Sequence, residues 1–448
     1  MLFDNPKEKK SAIVTFLIGN GFDIGLGLKT QYRDFLFDYL KRPSKTNIIK
    51  KMKDNIQKDI TFWGDAELAF AKLPFSTFGS DVSSILSECL QDFSGAFSEY
   101  LKNEESRICS PDEKMKYTFG LTLCSYYQAL SYYPRRNELK RLMKFNQLKI
   151  NVINFNYTET IDKLLPLSGA MELPEWGEVN VQFSEVCHVH GALSAGNSLL
   201  FGVDNLLQVE DKGLADATKV ALVKPSLDRM SGCGLTRTAM RMIDESDTVV
   251  IFGLSMGGSD QLWWDYLFDY IRNGDHRLCL MQYVENARGT QLFSEEAQWA
   301  QQERERFYTA ITPNKIKYFK TDMPDEEIQV SVRGPYLEPD GGETFCDPFH
   351  LSWLGRRLLT NRTIDEFNGG GPNKEDDVAE VKWNVGQEQL YQLICENPGI
   401  NQSLLALKSG VSSRSIMRVL KFLKSVDRIE YRGDMKDGGW FIKNSRDS

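Results

Sequence analysis

Short β-rich apolar runs alternate with amphipathic helical stretches along most of the chain, and this alternation most constrains its fold. The runs are Ala12–Ile18, Lys149–Phe155, Glu185–His190, Ser198–Val203, Thr248–Phe252, Arg277–Tyr283 and Lys315–Phe319. Helical spacing of apolar residues marks Gln31–Lys41, Thr158–Leu165, Leu235–Ser246, Gln261–Arg272 and Glu295–Tyr308. Such alternation predicts an α/β domain of Rossmann-like type, with a largely parallel sheet. Sheets of this kind take ligands beyond the carboxyl ends of their strands. Three runs end in Gly or Asn turns there, after Ile18, after Phe155 and after Phe252.

From about 45 to 147 the pattern changes. Asp65–Ala71, Val82–Tyr100 and Lys114–Ser131 are helical in period, which predicts a helical insertion within an α/β domain spanning 1–367. Residues 368–381 are Gly-rich and then acidic, as linkers are. Residues 382–448 read as three helices and two strands, the order of a winged helix-turn-helix domain.

The 448 residues can bury a core without disulfide or metal staples. The eight cysteines are scattered without a CxxC pair, so a zinc ribbon and a disulfide framework are both unsupported. The run Ala12–Ile18 is too short to span a bilayer and a glycine turn follows it, not a cleavage site. A cytoplasmic protein without membrane contact is therefore expected. The net charge of −8 disfavours blanket nucleic-acid binding. Yet residues 382–448 hold 11 Lys/Arg against 7 Asp/Glu, a balance of +4 that leaves −12 for the remainder. Arg414, Arg418 and Lys421 form a basic stripe opposite Ile416, Val419, Leu420 and Leu423, as a DNA-contacting helix requires. A winged helix that contacts protein accounts for the same pattern.

The first glycine turn runs from Gly19 to Gly27. Glycines let a backbone approach phosphate closely, and a helix N-terminus favours the anion. GxGxxG fails because Ile24 stands where the third glycine belongs, and a P-loop fails because Leu28 precedes Lys29-Thr30. The spacing of Gly19, Gly21 and Gly27 resembles the glycine loop of sirtuins, with Asp23 in the place of their serine. Asn154-Phe155-Asn156-Tyr157 is similar to their asparagine motif, His188-Val189-His190-Gly191 to their His-Gly motif, and Gly253-Leu254-Ser255 to their Gly-Thr-Ser turn. The set as a whole resembles the AbiH family of bacterial phage abortive-infection proteins. The matching stretches are LIGNGFDIGLGLKTQYRDFL (17–36), FWGDAE (62–67), FNYTETIDKL (155–164), HVHGAL (188–193) and LLFGVDN (199–205). That resemblance implies phage defence, and the sirtuin-like relation implies NAD bound through Gly19, Asn20, Gly21, Phe22, Asp23, Gly27, Gly253 and Ser255. The sirtuin zinc module and Pro-Asp-Phe-Arg are missing, which favours hydrolysis of NAD over deacylation.

Breaking the nicotinamide–ribose bond passes through an oxocarbenium-like state. Asn156 is the candidate that holds the ribose hydroxyls or the water, and His190 the candidate base. Asp23 is expected at the ribose or a water. Plain structural readings stand beside these: Asn156 as a helix cap, and His190 as a core histidine bonded to backbone. His188 and His190 would share a strand face, but two ligands make a poor metal site and no metal is expected. Trp63, Asp65 and Glu67 read equally well as a packed Trp beside a solvated helix start. Trp263 and Trp264 read as packing against the sheet.

Gly253-Leu254-Ser255-Met256-Gly257 fits GxSxG, with Asp347 and His350 following in α/β-hydrolase order. Three functions are thus in play. The first is an NAD hydrolase of phage defence with a C-terminal sensor of DNA or of a phage-derived trigger. The others are a nucleotide-gated DNA-binding regulator without turnover, and a serine hydrolase using Ser255. A homo-oligomer is compatible with all three.

Overall fold

The computed structural model describes residues 11–130, 132–194, 199–272, 276–283, 293–312 and 328–333, together with 390–391, 393–394, 405, 416, 419–420, 423–424, 429–432 and 439–442. The chain divides into two compact units, Met1–Gly369 and Gly370–Ser448.

The first unit is built on one sheet. Its strands are β1 (Ala12–Ile18), β2 (Gln147–Asn154), β3 (Gly169–Leu173), β4 (Gly177–Phe183), β5 (Cys187–His188), β6 (Thr248–Phe252), β7 (Arg277–Tyr283) and β8 (Ile328–Arg333). The order is β3-β4-β2-β1-β6-β7-β8, with β5 paired to β2. Every pairing is parallel except β3 with β4. Strand β1 is central: the chain leaves it for β2 on one side and later returns to β6 on the other. This reversal opens a crevice at the carboxyl ends of β1, β2 and β6, where doubly wound sheets hold ligands.

Strand periodicity decides which side chains enter which layer. Ala12, Val14, Phe16 and Ile18 pack with Ile150, Val152 and Val250 under one set of helices, including α6 (Glu113–Cys124) and α7 (Tyr132–Leu142). Leu17, Ile153, Val249 and Ile251 pack on the opposite face with helices α11 (Leu235–Asp244), α12 (Gln261–Arg272) and α13 (Phe293–Ala310). Trp263 and Trp264 belong to that face, as expected.

Between β1 and β2 run α1 (Gly21–Gly25), α2 (Tyr32–Lys41), α3 (Asn47–Lys58), α4 (Ala66–Ala71), α5 (Val82–Glu105) and then α6 and α7. Side chains cap several of them: Thr46, Asp65, Asp81 and Asp112 accept the backbone N–H three residues on. Helices α2 to α5 enclose a separate aromatic core of Phe35, Tyr39, Trp63, Phe70, Phe75, Phe93 and Phe97. Helices α3 to α7 fall within about 45–147, and α2 occupies the stretch Gln31–Lys41 read as helical.

Three sequence expectations change. Glu185–His190 forms only the two-residue β5, because the chain turns back at Gly191 (φ +81°). Of Ser198–Val203, the described residues form no strand beyond a single bridge, Val203 to Val223. Phe201 and Val203 are instead buried in the aromatic core. The hairpin β3–β4 was not anticipated, although Met171, Leu173, Val179 and Val181 alternate inward around a turn with Glu175 (φ +61°) and Gly177 (φ +87°). Two further helices, α8 (Thr160–Leu164) and α9 (Asp216–Lys219), precede α10 (Lys224–Ser231), which begins with Pro225 in its first turn. Lys315–Phe319, Asp347 and His350 lie outside the described residues.

In the second unit, β9 (Ile429–Arg432) and β10 (Gly439–Ile442) form an antiparallel pair. Leu390, Ile394, Leu405, Ile416, Leu420 and Leu423 are helical and bury with Ile429 in one small core, against which Trp440 packs. Arg414, Arg418 and Lys421 lie outside the described residues. Among the described residues no helix is long and apolar enough to cross a membrane.

Candidate functional site

The two glycine turns at the centre of the sheet pack on each other. Gly19 N–H donates to the Phe252 carbonyl (3.0 Å) and Gly21 N–H to the Gly253 carbonyl (2.6 Å). A Cβ on Gly21 would lie 2.6 Å from Gly253 Cα, and one on Gly19 2.5 Å from Leu254 Cα. Gly253 itself has φ +62°. These glycines therefore allow backbone to meet backbone. The N–H groups of Gly19 and Gly21 are committed to that contact and point at the β6 turn. Gly27 (φ +91°) ends the loop, its N–H donating to Ile24 O.

Asn20 exchanges two hydrogen bonds with Thr30, closing the loop internally. Phe22 is fully buried beside Phe119 and Phe252. Asp23 is fully buried too, and its two carboxylate oxygens accept from the Thr158 and Thr160 hydroxyls, each at 2.6 Å. Burial pushes its carboxyl up to about 6 against the effect of those hydrogen bonds. Asp23 thus ties the β1 turn to the β2 turn.

Asn156 joins the same two turns. Its Nδ2 donates to Gly19 O (3.2 Å), and its backbone N–H is held by Asn154 Oδ1 (2.9 Å). Asn156 does not cap the next helix: the N-cap of α8 is Glu159, with no side-chain cap hydrogen bond. His190 is 4% exposed, with Nδ1–H donating to Phe155 O (3.2 Å), so Nε2 is the atom left to gain or lose a proton. Nε2 lies 3.2 Å from Asp260 Oδ1 without the alignment of a hydrogen bond, and it is buried. His188 points elsewhere, to Asp162 (3.0 Å). The two histidines do not share a face, because the chain turns immediately after β5.

Around His190 the fold assembles a buried ionic cluster that sequence reasoning missed. Lys224 Nζ lies 2.6 Å from Asp260 Oδ1 and 2.9 Å from Glu67 Oε2. Tyr157 donates to Glu67 Oε1 (2.5 Å), and its ring lies 5.9 Å from that of His190. Asp204 Oδ2 accepts from Leu262 N–H (2.7 Å). Burial would raise the Asp260 carboxyl, but Lys224 and His190 outweigh it and hold it well below the usual range. Asp204, which does not touch Lys224, is pushed up by burial to about 7. Burial would likewise depress Lys224, but Asp260, Glu67 and Asp204 more than reverse this and keep it charged. Glu67 stood in the sequence beside Trp63, and Trp63 is indeed core. Lys224 and Asp260 carried no local signal: only their burial reveals them. The ammonium sits between two carboxylates, and among the described residues no three His, Cys, Asp or Glu side chains are grouped to hold a metal ion.

Two residues before Asp260, a groove of about 620 Å³ opens between the β6 turn and α13, lined by Met256, Gly257, Gly258, Gln261, Gln302 and Arg306. Ser255 is exposed at its approach. Helix α12 starts only at Gln261 and Ser255 has an ordinary φ, so the sharp strand-to-helix corner of a nucleophile elbow is absent.

Four of the stretches quoted above converge here: 62–67 supplies Glu67, 155–164 supplies Asn156 and Tyr157, 188–193 supplies His190, and 199–205 supplies Asp204. No curated protein matches the chain. The family model described as bacteriophage abortive infection AbiH matches residues 15–283, more than half of the chain, and includes all of these residues. The chain belongs to the AbiH family of bacteriophage abortive infection proteins.

Proposed function

We propose that this protein acts in antiphage abortive infection by hydrolysing NAD to nicotinamide and ADP-ribose. The observation that carries the reading is the position of Asn156 and of the buried His190–Asp260–Lys224–Glu67 cluster. They stand at the carboxyl ends of β1, β2 and their neighbours, where the strand order reverses. The groove beside the β6 turn is of a volume usual for such ligands. The sirtuin-like spacing of Gly19, Gly21 and Gly27 supplies the choice of NAD.

In the reaction the C1′–N1 bond breaks with its electron pair leaving on nicotinamide, which departs neutral. Water adds to C1′ and gives up one proton to His190 Nε2. Asn156 holds the ribose hydroxyl or the water. The imidazolium formed is stabilised by Asp260, 3.2 Å away. Because Nε2 is buried, the reacting water enters beside Asp260, which keeps its place next to the ring. The second unit, read as a winged helix, serves as the sensor of DNA or of a phage-derived trigger.

The test is nicotinamide release from NAD by purified protein and NAD consumption in infected cells. Release by wild type, lost in Asn156→Ala and in His190→Ala with folding intact, supports the reading. Absence of NAD loss in infected cells that the protein protects overturns it.

A further inference from the structure

Resting on the reading of His190 as the proton acceptor, we propose that Lys224 and Asp260 are positioning residues that set when His190 carries a proton on Nε2. One atom mediates this. Asp260 Oδ1 lies 2.6 Å from Lys224 Nζ and 3.2 Å from His190 Nε2, so the ammonium and the imidazole compete for the same oxygen. That competition explains why a buried Nε2 has a carboxylate within reach and no aligned hydrogen bond. The ring cannot escape by offering its other nitrogen, because Nδ1 is anchored on Phe155 O. Proton uptake by His190 therefore depends on how far Lys224 already satisfies Oδ1.

The groups facing His190 come from every element packed around it. Helix α4 supplies Glu67, with Asp65 as its N-cap. The β2 turn supplies Tyr157, the segment before α9 supplies Asp204, α10 supplies Lys224, and the approach to α12 supplies Asp260. Tyr32 of α2 lies within the field of Glu67, Asp65 and Asp260. Asp260 and Asp204 both feel the charge of the His190 ring, and Lys224 is the single cation among the cluster residues named here. Glu67 holds Lys224 from the far side, which keeps the ammonium near Oδ1 instead of letting it swing away.

The full chain has four histidines, so their imidazole signals can be followed by NMR in histidine-labelled protein. The His190 signal is assigned by its loss in His190→Gln. Removing a charge at this range moves a neighbour's midpoint by about one pH unit or more. Lys224→Met is expected to raise the His190 midpoint by that much, and Asp260→Asn to lower it. Lys224→Arg, which keeps the charge, is expected to stay near wild type. If Lys224→Met does not fold, Asp260→Asn carries the test, since Asn preserves the shape of Asp. A His190 midpoint unmoved or moved in the opposite sense in folded variants overturns the proposal.

The pH profile of nicotinamide release is the second readout. A profile that shifts with the His190 midpoint supports the assignment. A profile that stays fixed while the midpoint moves overturns any part for the two residues in the reaction. If wild type releases no nicotinamide, the NAD reading fails while the titration still decides the link between Lys224, Asp260 and His190.

Discussion

Lys224 Nζ lies 2.9 Å from Glu67 Oε2 across 157 positions of chain. This one contact fastens the helical insertion to the segment that leads from the cluster into α11. Both side chains are nearly fully buried, so removing Lys224 leaves Glu67 and Asp260 without their shared counter-charge. Lys224→Met is expected to cost about 3–5 kcal/mol, the usual consequence of leaving a buried charge without its partner. Chemical denaturation followed by far-UV circular dichroism measures it. Lys72→Met, whose pair with Glu210 is exposed, is expected to change stability by about 1 kcal/mol at most.

The meeting of the two glycine turns leaves no room for side chains. Gly21→Ala and Gly253→Ala are each expected to destabilise by about 1–3 kcal/mol, through backbone clash and, at Gly253, an unfavourable φ. Gly95 lies within α5 with nothing near its Cβ position. Gly95→Ala is therefore expected to stabilise by about 0.5–1 kcal/mol. Thermal unfolding of the three variants separates these signs.

Asp23 makes stability depend on pH. Its folded carboxyl titrates near 6, above the ordinary value, so the folded chain binds a proton more readily than the unfolded one. The resulting stabilisation is full below the unfolded pKa and fades as pH rises from about 4 to 6. Asp23→Asn keeps an oxygen that can accept from one threonine and removes the charge. It is expected to flatten the stability profile across that window, as measured by urea midpoints at pH 4, 5, 6 and 7. An unchanged slope would show that Asp23 is not the group responsible.

Tyr157 joins Glu67 by a 2.5 Å hydrogen bond in a buried setting. Tyr157→Phe leaves Glu67 Oε1 without that donor while keeping the ring against His190 and Phe97. A loss of about 1–3 kcal/mol is expected on denaturation. Phage protection is expected to fall in Asn156→Ala and to persist in Tyr133→Ala, whose side chain is 75% exposed. Plaque counts on cells expressing each variant give the comparison.

Much of the parallel sheet was legible in the sequence, because β1 and β6 are short apolar and β-branched runs ending in glycine turns, and β2 and β7 interleave apolar residues with polar ones. The β3–β4 hairpin escaped notice because its alternation is short and broken by Pro174 and Trp176. Leu199–Val203 was misleading for the opposite reason. It has the composition of a strand, yet its apolar residues are drawn into the aromatic core of the insertion, where no sheet edge is on offer. Asn156 and His190 were visible as motif residues. What Asp23 does was not: its buried carboxylate accepts from the Thr158 and Thr160 hydroxyls, a pairing across 135 and 137 positions of chain.

The sequence by itself determined the alternation of strands and helices, the turns at the strand ends, and the motifs that point to Asn156 and His190. Those are local properties, written in side-chain period and in residue spacing. Only the tertiary structure decided that Lys224 and Asp260 meet beside His190 and that the glycine turns close on each other. A lone lysine in an amphipathic stretch looks like any solvated lysine. It becomes a buried counter-charge only when distant segments supply two carboxylates that remove it from water together.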